Sequence, residues 1–194
     1  MGIDWKIGLP PLTGRLVALR EPILHDAEAL LDLLLTSDAT RFGLDEPITD
    51  LAVRHLIERC ASDRLSGQAF TYAITMQQSR LLVGLIQVRQ LYLDFSSAMW
   101  ECTIAPSARG TGIFLEAAQL VGSFAFDSVG TYRLEARARL HNGRANGALR
   151  KLGAVQEGIL RGSTQSGDHG DQVLWSTLKD DWGNRWMPTA ARVH

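Results

Sequence analysis

The sequence has little of what marks several large classes of protein. Its two cysteines, Cys60 and Cys102, lie far apart without the spacing of a zinc site or a disulfide framework, so we expect free thiols and no metal. No apolar run is long enough to cross a membrane, and residues 1–6 lack the apolar core of a secretory signal. The 20 Lys and Arg nearly balance the 21 Asp and Glu, which predicts neither nucleic acid nor a membrane as a partner. We therefore expect a cytoplasmic protein.

The remaining composition is that of an ordinary globular chain. Hydrophobic residues make up 45% and charged residues 21% of the sequence. A length of 194 residues predicts a single domain, 1–194, with a sizeable core. We place this core at about residues 12–182, between a loosely held lead-in at 1–11 and a tail at 188–194.

Hydrophobic periodicity predicts strands and helices that follow one another along the chain. The clearest strand is residues 132–141, where apolar and polar side chains alternate. Residues 113–127 carry apolar side chains at helical spacing and little charge before Asp127, which predicts a helix packed inside the domain. Further strands are predicted at 16–20, 69–75, 81–91, 98–104, 155–160 and 173–178, and further helices at 25–35, 50–62, 142–153 and 180–187.

A glycine-rich turn joins the strand that ends at Ile104 to the helix that begins near Ile113. It contains the sequence Arg109-Gly110-Thr111-Gly112. Two glycines before a helix leave backbone N–H groups uncovered at the positive end of the helix dipole, which predicts an anion site suited to a diphosphate. Taken alone, these four residues fit a tight strand-to-helix turn better than a ligand site.

Two familiar phosphate motifs are excluded at this turn. A P-loop requires Lys and then Ser or Thr after its second glycine, whereas Ile113 and Phe114 stand here. A dinucleotide fingerprint requires a third glycine, and position 115 is Leu. A nucleotide-binding protein is therefore a weak alternative.

The surrounding residues carry a family resemblance. Residues 106–112 resemble motif A of the GNAT acyl-CoA-dependent N-acyltransferases, and residues 142–146 and 149–154 look like the second motif of that family. Glu-Gly-Ile-Leu-Arg at 157–161 matches a sequence that often follows. The opening at 12–20 is similar to the branch that includes ribosomal-protein N-terminal acetyltransferases (RimJ/RimL-like).

This resemblance implies a fold and a cofactor. The implied fold is α+β, a three-layer α/β/α arrangement around a mixed, mostly antiparallel sheet of six to seven strands with one splayed parallel pair, here 100–104 and 132–140. Acetyl-CoA, or another acyl-CoA, is the implied co-substrate. The implied cofactor-binding residues are Thr103 and Ile104 for the pantetheine arm, Arg109, Gly110, Thr111, Gly112 and Ile113 for the diphosphate, and Asn142 for the arm or its thiol end.

An amine is mostly protonated at neutral pH, so its acylation requires a general base. Glu101 lies on the polar side of the strand that enters the glycine turn, and Glu135 lies on the polar face of the next strand of the splayed pair. Glu135 has an alternative explanation, because Arg133 and Arg137 flank it on the same face and can hold it in an ion pair. Both carboxylates remain candidates.

The acceptor is implied to be an amine, either a protein N-terminus or a small molecule. In the family, the loop between the first two helices forms a wall of the acceptor site, which assigns Arg41 and Phe42 to substrate binding. An ordinary exposed loop is the other interpretation of this pair. The sequence leaves open whether the chain is a monomer or a homodimer.

Three residues depart from the family pattern. Ser107 replaces a Gln or Arg that often contacts phosphate, and Ala145 and Leu149 replace a Ser and a Tyr that can protonate the leaving thiolate. These departures motivate an alternative from another class, a non-catalytic acyl-CoA-binding sensor or interaction module on the same fold.

Overall fold

A computed structural model describes residues 4–36, 42–45, 47–163 and 170–186. One mixed sheet of eight strands, in the order β1-β2-β3-β4-β5-β6-β8-β7, forms the centre of the described part. The strands are β1 (Leu12–Thr13), β2 (Val17–Arg20), β3 (Ala69–Met76), β4 (Leu82–Gln90), β5 (Ser97–Ile104), β6 (Arg133–Arg139), β7 (Val155–Leu160) and β8 (Gln172–Leu178).

Five α-helices complete the described chain. They are α1 (Ala27–Leu34), α2 (Asp50–Leu65), α3 (Ile113–Phe124), α4 (Gly143–Leu152) and α5 (Lys179–Trp186). The hydroxyl of Thr49 accepts a hydrogen bond from the N–H of Ala52 (3.2 Å) and so caps α2. None of these helices has the length and apolar character that crossing a bilayer requires.

The helices cover both faces of the sheet, which explains why its central strands are apolar throughout. Leu85 of β4 packs with side chains of α1 and α2, whereas its neighbour Ile86 packs with side chains of α3 and α4. Successive residues of a strand point to opposite faces, so a strand between two helical layers needs apolar residues at every position. The predicted three-layer α/β/α fold is confirmed.

The one parallel pair of the sheet is short. β5 and β6 pair only from Ser97 opposite Arg133 to Met99 opposite Glu135, and the two strands then diverge. Beyond this point β5 remains paired with β4, up to Ile104 opposite Gly84. The predicted splayed pair is therefore confirmed within a mostly antiparallel sheet.

Several details differ from the expectation. The sheet has eight strands rather than six to seven, because the short β1 adds an edge strand next to β2. The helix predicted over 113–127 ends at Phe124 and continues as a π-helical turn, Ala125–Val129, which Gly130 terminates with φ 92°.

Residues 4–11 before β1 are held against the core, whereas the sequence predicted a loosely held lead-in over 1–11; residues 1–3 lie outside the described part. The Trp5 side chain is only 7% exposed and packs edge-to-face against Phe70 and Phe95, with ring centroids 5.7 and 5.4 Å apart. The Tyr72 hydroxyl donates to the carbonyl of Pro10 (2.9 Å). The sequence could not predict the packing of Trp5, because a single aromatic residue produces no periodic pattern.

Glu116 fastens α3 to the N-terminal strands. Its carboxylate accepts the backbone N–H groups of Arg15 (2.9 Å), Leu16 (2.7 Å) and Val17 (2.9 Å). A Cβ on Gly14 would meet this carboxylate at 2.6 Å, so glycine permits the approach. Charge-assisted hydrogen bonds of this kind are roughly twice as strong as neutral ones.

We predict that Glu116→Gln lowers the free energy of unfolding by about 1–3 kcal/mol, because the neutral amide replaces an oxygen acceptor with an NH₂ donor facing N–H groups. Urea denaturation measures the change. The matched control is Glu58→Gln on the exposed surface of α2, which should change stability by less than about 0.5 kcal/mol. Equal effects of the two substitutions would contradict the anchoring role.

Candidate functional site

The divergence of β5 and β6 leaves part of the β5 backbone facing a gap. The N–H of Ala105 donates to the carbonyl of Val83, which lies on the β4 side (2.8 Å). Because backbone groups alternate in direction along an antiparallel strand, Thr103 turns its N–H and C=O to β4, whereas Cys102 and Ile104 turn theirs to the gap. This exposed edge can hydrogen-bond an extended amide-containing chain in the place of a strand.

The glycine turn closes one end of the gap. Gly110 and Gly112 adopt positive φ angles of 78° and 89°, which favour glycine, and Gly112 begins α3 without a side-chain cap. The first N–H groups of a helix have no intrahelical partner and carry its positive dipole end. Arg109 lies at the same place and donates from Nε to the carbonyl of Ile104 (3.1 Å). This end of the gap therefore suits an anion.

The other residues predicted for the cofactor lie around this end. Thr111 donates its hydroxyl to the carbonyl of Ala108 (2.6 Å), which tightens the turn before α3. Ile113 is the first residue of α3, and its side chain is buried in the main core. Thr111 and Ile113 can therefore offer only their backbone groups to a ligand, and the turn and the helix start hold these groups in place.

The far side of the gap is held by the start of α4. Oδ1 of Asn142 accepts the N–H of Ala145 (3.0 Å) and caps this helix, so a contact of Asn142 with a cofactor would use its Nδ2. The buried Asn146 donates to the carbonyl of Arg139 at the end of β6 (3.0 Å) and accepts from Nε1 of Trp175 on β8 (2.8 Å). These bonds fix the end of β6 where it has left β5.

Two of the residues that differ from the pattern of the resembled family, Ala145 and Leu149, lie on α4. The Leu149 side chain is buried in the core, and Ala145 offers only a methyl group. Neither side chain can donate a proton.

A cleft of about 460 Å³ lies over β4 and β5, beneath the loop at Phe42 and the second half of α2. It is lined by Phe42, Gly43, Arg59, Asp63, Gln87, Arg89, Met99 and Glu101. Phe42 is buried, and its carbonyl accepts a hydrogen bond from Nη2 of Arg59 (2.6 Å). Arg41 lies outside the described residues. The cleft thus joins one residue predicted for substrate binding with one predicted for catalysis.

Glu101 is the half-buried carboxylate of this cleft. Burial raises the pKa of Glu101, while the positive charges of Arg89 and Arg137 act in the opposite direction. On β4, Gln87 lies directly opposite Glu101, and Gln87 donates to the hydroxyl of Thr71 (2.9 Å). A carboxylate in such surroundings can accept a proton from a bound ammonium group.

Glu135 lies in a different environment. Its Oε1 accepts from Nε of Arg133 (2.9 Å), and the same guanidinium binds both oxygens of Glu157 (2.7 and 2.5 Å). The hydrogen bonds from Arg133 and Ser176 lower the pKa of Glu157 to about 2. The ion pair considered for Glu135 is therefore present, with Arg133 as its partner.

The backbone role of Cys102 and several residues of the cleft were not predicted. Arg89 and Asp63 form an ion pair across the cleft (2.8 Å), and Arg59 lies near them on α2. Gln87 and Arg89 are polar residues at the end of an otherwise apolar strand, and this change of character in the sequence could have indicated a polar site. Asp63 and Arg59 gave none, because charged residues on a helix are ordinarily solvated.

Burial raises the pKa of the Cys102 thiol to about 12. Cys102 and Cys60 are not joined in a disulfide. The Cys102 backbone faces the gap while its thiol stays protonated near neutral pH, so this residue offers main-chain groups to the gap rather than a thiolate.

Comparisons with known proteins agree with this geometry. The model of the acetyltransferase (GNAT) domain family matches residues 16–155. Among solved structures, RimJ of Mycobacterium smegmatis in complex with CoA-disulfide has 21% identity and a TM-score of 0.78, with 93% of this chain and 91% of that chain covered. No curated protein matches the sequence significantly.

Two further structures share the fold. The ribosomal-protein-S5-alanine acetyltransferase of Vibrio fischeri is 16% identical, with a TM-score of 0.76 and coverage of 89% of this chain and 98% of that chain. A chimera of the spermidine N-acetyltransferase SpeG of Vibrio cholerae and hSSAT is 18% identical, with a TM-score of 0.73 and coverage of 87% and 99%. At these identities the likeness concerns the fold.

Gly84 provides a test of the gap. A Cβ at this position would lie 2.7 Å from the carbonyl oxygen of Thr103 and 2.7 Å from Cδ1 of Ile104. We predict that Gly84→Ala pushes the end of β5 away, lowers the free energy of unfolding by about 1–3 kcal/mol and weakens acetyl-CoA binding about tenfold, the equivalent of about 1.4 kcal/mol.

Calorimetric titration with acetyl-CoA measures this binding. Gly8→Ala is the matched control, because a Cβ at Gly8 has no atom within 4 Å. Unchanged affinity in a folded Gly84→Ala protein would show that the β5 edge does not hold the cofactor.

Proposed function

Because the chain belongs to the GNAT acetyltransferase family, we propose that it transfers an acetyl group from acetyl-CoA to a primary amine, with Glu101 as the general base. The observation that carries this proposal is the position of Glu101. Its side chain lines the cleft, while the backbone of the next residue, Cys102, faces the gap. An acceptor in the cleft and a thioester in the gap would meet at this point of β5.

The cofactor would lie from the glycine turn into the gap. The turn and the first N–H groups of α3 would hold the diphosphate, with Arg109 adding positive charge. The amides of the pantetheine arm would pair with the backbone of Cys102 and Ile104. An N–H group fixed at this edge can also polarise the thioester carbonyl, since it needs no reorganisation during the reaction.

The reaction proceeds by direct attack. The acceptor enters as an ammonium ion and gives one proton to the Glu101 carboxylate, directly or through a water molecule. The neutral nitrogen attacks the thioester carbon and forms the new C–N bond. The C–S bond then breaks, CoA leaves as the thiolate, and the second nitrogen proton is lost from the product amide.

The leaving group needs little help from α4. A CoA thiol has a pKa close to that of free cysteine, about 8.5, so its thiolate departs readily and takes up a proton from water. Turnover is therefore possible although neither Ala145 nor Leu149 can act as a general acid. The structural neighbours include enzymes named for a ribosomal protein and for spermidine, so they support an amine acceptor without choosing its size.

Glu101→Gln tests the base. We predict that it lowers acceptor-dependent thiol release about 10²–10⁴-fold, because the amide cannot accept the proton. The shift in melting temperature on adding acetyl-CoA should stay unchanged, since Glu101 does not hold the cofactor. Glu135→Gln is the matched control and should retain most of the turnover.

Two outcomes would contradict this assignment. Full activity in Glu101→Gln would remove Glu101 from the mechanism. Binding of acetyl-CoA by the wild-type protein without acceptor-dependent thiol release would favour the non-catalytic sensor instead.

The pH dependence gives an independent test. The base works only when deprotonated, and burial raises the pKa of Glu101, so kcat/KM should fall on acidification at a higher pH than an exposed glutamate would produce. Arg137→Gln removes a cation that lowers this pKa, so we predict that the acid limb moves to still higher pH.

Profiles of kcat/KM against pH for the wild-type and variant proteins measure this shift. The acceptor amine contributes equally to both profiles, so their difference reports on the enzyme. Arg54→Gln serves as the control, because Arg54 is exposed and paired with Asp50 on α2. A shift of the Arg137→Gln limb to lower pH would contradict the assignment.

A further inference from the structure

Two arginines line the cleft. Arg89 forms an ion pair with a carboxylate, whereas Arg59 forms none with the described residues. Nη2 of Arg89 lies 2.8 Å from Oδ2 of Asp63, and Arg89 also donates to Oε1 of Gln87 (3.4 Å). Arg59 has a single hydrogen-bond partner among the described residues, the carbonyl of Phe42 (2.6 Å), and forms no ion pair with any of them. Arg59 therefore lines the cleft with no carboxylate of the described residues within ion-pair distance.

The guanidinium of Arg59 is also incompletely hydrogen-bonded. Arginine has five N–H donors, and one of those on Arg59 is occupied by Phe42. Its Nε is buried without a partner. Buried donors are ordinarily satisfied in folded proteins, so an under-satisfied guanidinium in a cleft indicates that part of its environment is a ligand.

Arg59 and Glu101 place opposite charges on the walls of the same cleft. Arg59 extends from α2, and Glu101 extends from the strand that faces the gap. Resting on the function proposed above, we infer that the acceptor is a small amine that carries a carboxylate, such as an amino acid, and that Arg59 binds this carboxylate while the amine meets Glu101.

The charges of the cleft disfavour the other amine classes. A polyamine would bring a further positive charge next to Arg59, which has no ion-pair partner among the described residues. A protein N-terminus would offer Arg59 a neutral carbonyl, and hydrogen bonds to a charged acceptor are roughly twice as strong as those to a neutral one. A guanidinium matches a carboxylate with two parallel N–H donors, which fixes the orientation of the ligand as well as its charge.

The central comparison of the test is between an amino acid and its amide, which differ only in the carboxylate. Thiol release from acetyl-CoA is followed with the standard amino acids, with the corresponding amino-acid amides, with spermidine, and with short peptide amides that represent protein N-termini. We expect kcat/KM for the best amino acid to exceed that for its amide about tenfold or more, with spermidine and the peptides slower still.

Arg59→Gln should remove this preference. We expect its kcat/KM for the amino acid to fall about tenfold to a hundredfold and that for the amide to fall much less, while its affinity for acetyl-CoA stays close to wild type. Arg59→Lys keeps the positive charge and should restore part of the preference. Arg54→Gln, on the exposed surface of the same helix, is the matched control.

The outcomes separate this inference from the proposed function. Equal use of acids and amides, faster turnover of spermidine or peptides, or an unchanged preference in Arg59→Gln would each overturn the carboxylate site while acetyl transfer stands. Absence of thiol release with every acceptor would count against the proposed function. Calorimetric titration of the CoA-bound protein with the amino acids then decides the inference: binding that Arg59→Gln abolishes supports it, and no such binding overturns it.

Discussion

The site depends on the end of pairing between β5 and β6. Past Met99 and Glu135 the two strands are held by different neighbours, β5 by β4 and β6 by β8. Asn146 adds hydrogen bonds to the end of β6 and to Trp175 on β8. The gap is thus a fixed part of the sheet, since closing it would break bonds on both outer sides, and its unpaired backbone is available to a ligand.

Three carboxylates near this gap differ in protonation because their surroundings differ. Glu135 and Glu157 share Arg133, and this pairing holds Glu157 in its ionised form far into the acid range. Glu101 is instead shifted mainly by burial, which makes it a better proton acceptor than an exposed glutamate. Paired groups stabilise the outer strands, whereas the poorly solvated group faces the cleft.

The sequence was informative where a feature is local. Alternation over 132–141 and the glycines before Ile113 predicted a strand and a helix start, because periodicity and positive φ depend on neighbouring residues. Whether Thr103 or Cys102 turns its backbone groups to the gap depends on the pairing register of β5 with β4. The sequence of β5 alone does not specify this register. The packing of Trp5 on Phe70, and the cleft that Arg59 and Glu101 line together, depend on distant segments coming close, so pattern alone could not reveal them.

The protonated thiol of Cys102 has a consequence for the kinetics. A thiolate beside the gap could take the acetyl group from the cofactor and pass it on, which would give an acetyl-enzyme and parallel lines in double-reciprocal plots. Burial raises the pKa of Cys102 to about 12 and keeps this route closed. For the acetyl transfer proposed above, both substrates would then have to be bound together before the bond is made, so the lines should intersect. The same protonation slows attack of Cys102 on an existing disulfide such as oxidised CoA, because the thiolate is the species that exchanges.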